Sequence, residues 1–245
     1  MKTKGNTILI TGGATGIGFS LAEAFVKAGN EVIICGRRED KLEEAKKKLP
    51  QLIIKKSDLS KEDERKKLFE WASSNFKNLN ILVNNAGVQK TVDFKKGTEE
   101  LFDGDDEIET NLKAYIHLSA YFIPFLMKQK EAAIINVSSG LGFVPLAIFP
   151  VYCATKAAVH SFSLSLRHQL RKTSIKVFEI IPPTVNTQLG KGVGKNMGIK
   201  PAEVAETALK CIEKDEYEIP VGMAQNLRMG ARENPEQAFQ NLNKW

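Results

Sequence analysis

Cysteine is scarce in this chain of 245 residues: Cys35, Cys153 and Cys211 make an odd count with no paired spacing. A disulfide framework is excluded, and free thiols in a reducing compartment are the natural reading. Histidine is as sparse, and His117, His160 and His168 fall on predicted helices without metal-ligand spacing, so no metal is expected. No apolar run approaches the roughly 20 residues of a membrane span. Residues 1–6 are basic but lead straight into a short apolar run and a glycine-rich turn, without the apolar core or cleavage site of a signal peptide. A cytoplasmic, soluble protein is expected. The net charge is +6, and basic runs such as Lys46-Lys47-Lys48 and Arg65-Lys66-Lys67 read as exposed helix faces. No aromatic residues interleave them, so no nucleic-acid partner is expected. Repeats, low-complexity tracts and interdomain linkers are absent too, which makes residues 1–245 one domain.

What is present is alternation. Short apolar runs rich in β-formers recur at 7–10, 31–35, 52–55, 81–83, 133–137, 175–181 and 218–221. Amphipathic stretches separate them at 16–28, 40–49, after Ser60, from about 104 to 129, at 152–172, at 202–214 and through the tail. Ser60 with Asp63 reads as a capping box opening one helix. The pattern predicts an α/β fold, a Rossmann-type doubly wound parallel sheet of about seven strands with helices on both faces. A chain of this length can bury most of its apolar surface without staples.

The first strand runs into Thr11-Gly12-Gly13-Ala14-Thr15-Gly16-Ile17-Gly18. Gly12 allows a sharp turn, Gly16 lets the backbone approach a pyrophosphate, and Gly18 permits close helix–strand packing. The helix N-terminus beyond offers unpaired N–H groups to phosphates. The second strand ends at Cys35-Gly36-Arg37-Arg38, where an NAD site usually carries an acid. Gly36 leaves space, and Arg37 can fork onto a 2′-phosphate, or the two arginines can simply open an exposed helix. The first alternative favours NADP, with NAD still possible.

With Asn84-Asn85-Ala86-Gly87, Asn111, Ser139 and Tyr152-Cys153-Ala154-Thr155-Lys156 in order behind the glycine turn, the sequence resembles the short-chain dehydrogenase/reductase family over nearly its whole length. Tyr152 and Lys156 are four apart, so a helix sets them on one face. A Lys156 ammonium would stabilise a phenolate and lower the Tyr152 pKa, leaving Tyr152 as general acid or base. The resemblance implies that Lys156 also holds the nicotinamide ribose and that Ser139 polarises the substrate oxygen. It implies that Asn111 binds a water linking Lys156 to solvent. It also places Asp58 at the adenine, Asn85, Ala86 and Gly87 beside the adenosine ribose, and Thr187 at the carboxamide. Thr15, Ile17, Arg38, Leu59, Pro182 and Val185 join the cofactor site on the same footing. The family's P-G-x-x-x-T is here Pro182-Pro183-Thr184-Val185-Asn186-Thr187, which stiffens the loop. That departure, with stretches 31–37, 80–97 and 151–171, is similar to the DltE-type oxidoreductases associated with teichoic acid D-alanylation.

The implied activity is reduction of a small-molecule ketone or aldehyde with NADPH, or the reverse. The alternative is a nucleotide-binding regulatory or scaffold protein with little turnover. Leu141, Phe143, Val144, Leu146 and Phe149 suggest an apolar pocket wall, Cys153 a packed thiol, and Gly190-Lys191-Gly192-Val193-Gly194 a lid. Segment 112–127 is apolar almost all round and must be buried on every side, which points to a homodimer or homotetramer.

Overall fold

Strands buried on both faces require helices on both faces, and the chain supplies them in alternation. In the computed structural model, which describes residues 1–189 and 198–244, seven parallel strands form one sheet. They are β1 (Thr7–Thr11), β2 (Glu31–Gly36), β3 (Ile53–Lys56), β4 (Leu79–Asn84), β5 (Ala132–Val137), β6 (Ile175–Ile181) and β7 (Glu218–Pro220). Their order is β3-β2-β1-β4-β5-β6-β7. The helices are α1 (Gly16–Lys27), α2 (Glu39–Lys48), α3 (Glu62–Asn75), the short α4 (Glu99–Phe102), α5 (Ala114–Leu126), α6 (Pro150–Leu170), α7 (Pro201–Glu213), α8 (Ala224–Glu233) and α9 (Pro235–Leu242). This is the Rossmann-type architecture that the alternation predicts.

Two cores sandwich the sheet. One packs Phe25 of α1, Leu42 of α2 and Ile212 of α7 against Ile8, Ile34, Ile135 and Phe178. The other packs Leu68 of α3, Phe122 of α5 and Leu166 of α6 against Leu9, Ile33, Leu82 and Val177. Neighbouring strand residues thus point to opposite cores, as a period of two demands. No helix among the described residues is long and apolar enough to cross a membrane.

Several local expectations are corrected. Helix α3 opens at Lys61, not Ser60; the Ser60 hydroxyl instead donates to Asp58 Oδ1 at 2.8 Å. Arg65 does not lie on an exposed face: it is 2 % exposed, because it shares a helix face with Leu68. Its guanidinium pairs with Glu109 at 2.8 Å. Between β4 and the next long helix the chain holds a 3-10 turn at Phe94–Lys96 and α4. The Lys90 ammonium pins it by donating to the carbonyls of Leu101 and Asp103 at 2.8 and 2.6 Å. The next helix begins as a π-turn, Glu109–Lys113, before α5 proper. In the single chain, Ile116, Ala120, Pro124 and Met127 of segment 112–127 form an exposed stripe along one face. The suggested lid at residues 190–194 lies outside the described residues.

Candidate active site

The site forms at the carboxyl ends of β1, β4, β5 and β6, where the winding of the sheet reverses between β1 and β4. Thr11 closes that junction. Its hydroxyl donates to the Val83 carbonyl at 3.2 Å and accepts from the amides of Asn85 and Ala86 at 2.9 and 3.0 Å. Asn85 returns the contact, its amide donating to Thr11 O at 2.8 Å. The glycine turn fits against this junction so closely that side chains are excluded. A Cβ on Gly12, whose φ is +64°, would stand 2.8 Å from Ala86 Cα, and one on Gly18 would stand 2.4 Å from Gly12 O. Helix α1 starts just beyond with no acid in its first turn, so its positive end faces the cleft uncompensated.

That cleft has a volume of about 620 Å³. It brings together Gly12, Thr15, Gly16, Ile17, Gly18, Arg37, Arg38, Asp58, Leu59, Asn85, Ala86, Gly87, Tyr152, Lys156, Pro182 and Thr187. Three expected residues lie off its wall. Val185 packs toward the core and pairs its backbone with Ile199. Ser139 and Asn111 sit behind the wall, 6 % and 0 % exposed.

Asn111 is a clasp. Its Oδ1 accepts from the Val88 amide and its Nδ2 donates to the Val88 carbonyl, both at 2.8 Å. A longer contact of 3.3 Å reaches Thr155 of α6. The side chain thereby ties the segment following β4 to α6, and the π-turn around it lets it reach both.

Tyr152 and Lys156 occupy one face of α6, as the spacing predicts, and both are buried. The Lys156 ammonium donates to the Val137 carbonyl at 2.8 Å and lies 5.6 Å from the centre of the Tyr152 ring. The Ser139 hydroxyl accepts from the Leu141 amide at 3.1 Å. The expected lowering of Tyr152 by Lys156 is not what the structure shows. Burial pushes the phenol up, with the Ser139 side chain opposing and Cys153 and Glu107 adding to the rise. Burial likewise brings Lys156 down to about 7, against the upward pull of Glu179. Desolvation penalises both charged forms and outweighs a lysine whose hydrogen bond goes to a backbone carbonyl.

Arg37 has a partner that no local sequence signal announces. Asp105, on the segment after α4, grips the guanidinium at both nitrogens, Nη2 to Oδ2 at 2.7 Å. The contact raises Arg37 and lowers Asp105. Beside it lies a recess of about 380 Å³ lined by Lys90, Glu100, Asp103 and Glu107 among others. Cys153 is buried with its thiol against Leu146, and burial raises its pKa, as a packed residue requires. Among the described residues no cluster of histidine, cysteine and acid can hold a metal.

Comparison with known proteins agrees with this geometry. The pattern of the short chain dehydrogenase family matches residues 6–198. The chain is 51% identical over 248 residues to an uncharacterized oxidoreductase, DltE, of Bacillus subtilis, covering 99% of this chain and 98% of the relative. Its fold is similar to that of a short chain dehydrogenase/reductase from Burkholderia phymatum in complex with NAD, with TM-score 0.84, 20% identity and coverage of 97% and 96%. It is equally similar to a short chain dehydrogenase from Burkholderia cenocepacia in complex with NADP, with TM-score 0.83, 24% identity and 99% of both chains covered.

The clasp has a measurable consequence. Asn111→Ala strips both Val88 backbone groups of their partner, so urea unfolding should show a loss of about 1–3 kcal/mol. Hydrogen exchange at the Val88 amide should accelerate in step. Wild-type stability with unchanged exchange would mean that something else holds the segment.

Proposed function

The chain belongs to the short chain dehydrogenase family, and from that premise we propose that it interconverts a small-molecule carbonyl and an alcohol with NADP(H), using Tyr152 as general acid and base. The observation that carries this reading is the meeting of Ser139, Tyr152 and Lys156 beside the glycine turn. The turn suits a dinucleotide: its tight packing at Gly12 and Gly18 leaves the backbone bare, and the uncompensated end of α1 favours a pyrophosphate. When bound, the nicotinamide supplies or accepts the hydride.

The remaining work belongs to the protein. Ser139 donates a hydrogen bond to the substrate oxygen, drawing charge onto it. Tyr152 gives its phenolic proton to that oxygen in reduction and recovers it in oxidation. Its raised pKa keeps the proton in place beforehand. Lys156, as an ammonium, steadies the phenolate that proton transfer leaves behind. Phe149, which lines the cleft next to Tyr152, supports an apolar portion in the substrate.

The choice of NADP rests on Arg37. Asp105 shows that the guanidinium can present both nitrogens to a planar pair of oxygens. A 2′-phosphate offers the same geometry with more charge and would replace the carboxylate. Gly36 leaves open space beside it. A homodimer or homotetramer is supported by the exposed stripe on α5 and by Ala154, Ala157, Ser161 and Leu164 on α6. Small residues on one helix and apolar ones on the other suit an isologous pairing.

Three outcomes test this reading. Tyr152→Phe should abolish NADPH oxidation against a carbonyl panel while NADPH binding stays within about twofold, because only the transferable proton is removed; wild-type turnover would displace Tyr152 as the acid. Arg37→Ala should weaken NADPH by about 10- to 100-fold, the worth of a charged hydrogen-bond pair, and NADH hardly at all. Equal losses in a titration would remove the case for NADP. Light scattering across a dilution series should give a multiple of 27.2 kDa, and a monomer mass at high concentration would exclude the pairing.

A further inference from the structure

Glu179 is the buried charge that the reaction chemistry leaves unexplained. It sits on β6, wholly buried, in register with Asn136 of β5. A carboxylate in such a place must be satisfied by donors. Ser138 donates its hydroxyl to Oε1, and His160 Nδ1 lies 2.8 Å from Oε2. A carboxylate only accepts, so Nδ1 carries the proton. The Phe143 ring packs against the imidazole, with ring centres 4.5 Å apart.

The three residues converge on Lys156. His160 follows Lys156 by one helical turn and so shares its face of α6. The Lys156 ammonium bonds the carbonyl of Val137, the neighbour of Ser138. Around it stand the rings of Tyr152 and of Tyr115 from α5, at 5.6 and 5.3 Å. Among the described residues Lys156 makes no direct salt bridge, and the charge that acts on it is that of Glu179. In a dry site such a charge acts over several ångströms with little screening.

We propose that Glu179, fixed by Ser138 and His160, is a positioning residue that serves as the buried counter-charge of Lys156 and keeps it an ammonium in its desolvated seat. Its consequence for catalysis rests on the reading of Lys156 given above, whereas the charge itself is measured without any cofactor. The titration of Lys156 can be followed by NMR in protein carrying lysine labelled with carbon-13 at Cε, the resonance identified by its loss in Lys156→Met. In the wild type the midpoint should lie at about 7. Glu179→Gln removes the charge but not the hydrogen-bonding volume, so the midpoint should fall by about one pH unit. Glu179→Asp should restore most of the difference.

A purely structural Glu179 would lower stability in Glu179→Gln and leave the midpoint in place, which would overturn the proposal. Should Glu179→Gln fail to fold, Ser138→Ala withdraws one donor and should move the midpoint the same way by less; an unmoved midpoint there overturns it equally. NADPH binding gives a second readout. In Glu179→Gln the affinity should fall between pH 6 and pH 8 by about fivefold more than in the wild type, because a lower midpoint leaves less of the lysine charged across that range. Absence of NADPH binding at every pH would instead overturn the cofactor reading and leave the titration result standing.

Discussion

One hydroxyl holds the two halves of the sheet at the point where they part. From β1 the chain winds one way to β2 and β3, and from β4 the other way to β5, β6 and β7. Loops leaving the two central strands therefore diverge and open a crevice, which is where ligands bind in sheets of this kind. A crevice between two backbones exposes polar groups that neither strand can pair. Thr11 Oγ1 pairs three of them, as donor to Val83 and as acceptor from Asn85 and Ala86. The glycine turn can then lie within van der Waals contact of Ala86. The width of the cleft follows from that packing.

How much of this was legible in the sequence depended on distance along the chain. The alternation of strands and helices, the glycine turn and the Tyr152–Lys156 pair are local patterns, and each stands in the structure where its spacing placed it. Interactions between distant segments left no such trace. Arg37 and Asp105 are 68 residues apart, and neither neighbourhood announces the other. Arg65 read as one of a run of exposed cations because charge alone was weighed; its register with Leu68 and the partner at Glu109 decide otherwise. The capping assignment failed for a related reason: Ser60 had a better acceptor in Asp58 than the helix could offer it a donor. Asn111 stood out in the sequence as a candidate site residue but not as a clasp on Val88, since the π-turn that aims it is not a periodic feature.

Burial sets the electrostatic problem of the catalytic helix. A phenol and an ammonium removed from water drift toward their neutral forms, the phenol upward and the ammonium downward. A neutral pair holds its proton safely but gives the phenolate no support when the proton leaves. Proton transfer in such a site needs a fixed charge that survives desolvation, and that charge must itself be satisfied by donors. Strand β6 places one within reach, which makes the sheet part of the electrostatics as well as the scaffold.

The two ends of the cleft are built on opposite terms. At the end where Tyr152 stands, Ser138, Lys156 and Glu179 are buried and hydrogen-bonded, so a substitution there disturbs a network. At the other end Arg37 and Asp105 are both nearly half exposed, and an exposed pair of this kind is worth only about 0.2–1 kcal/mol. A bond that weak holds the guanidinium extended without committing it, so an arriving anion exchanges for the carboxylate at little cost. On the proposed function, recognition of the nucleotide can therefore vary at the rim, through residues 37 and 105, while Tyr152 and Lys156 stay where the core has set them.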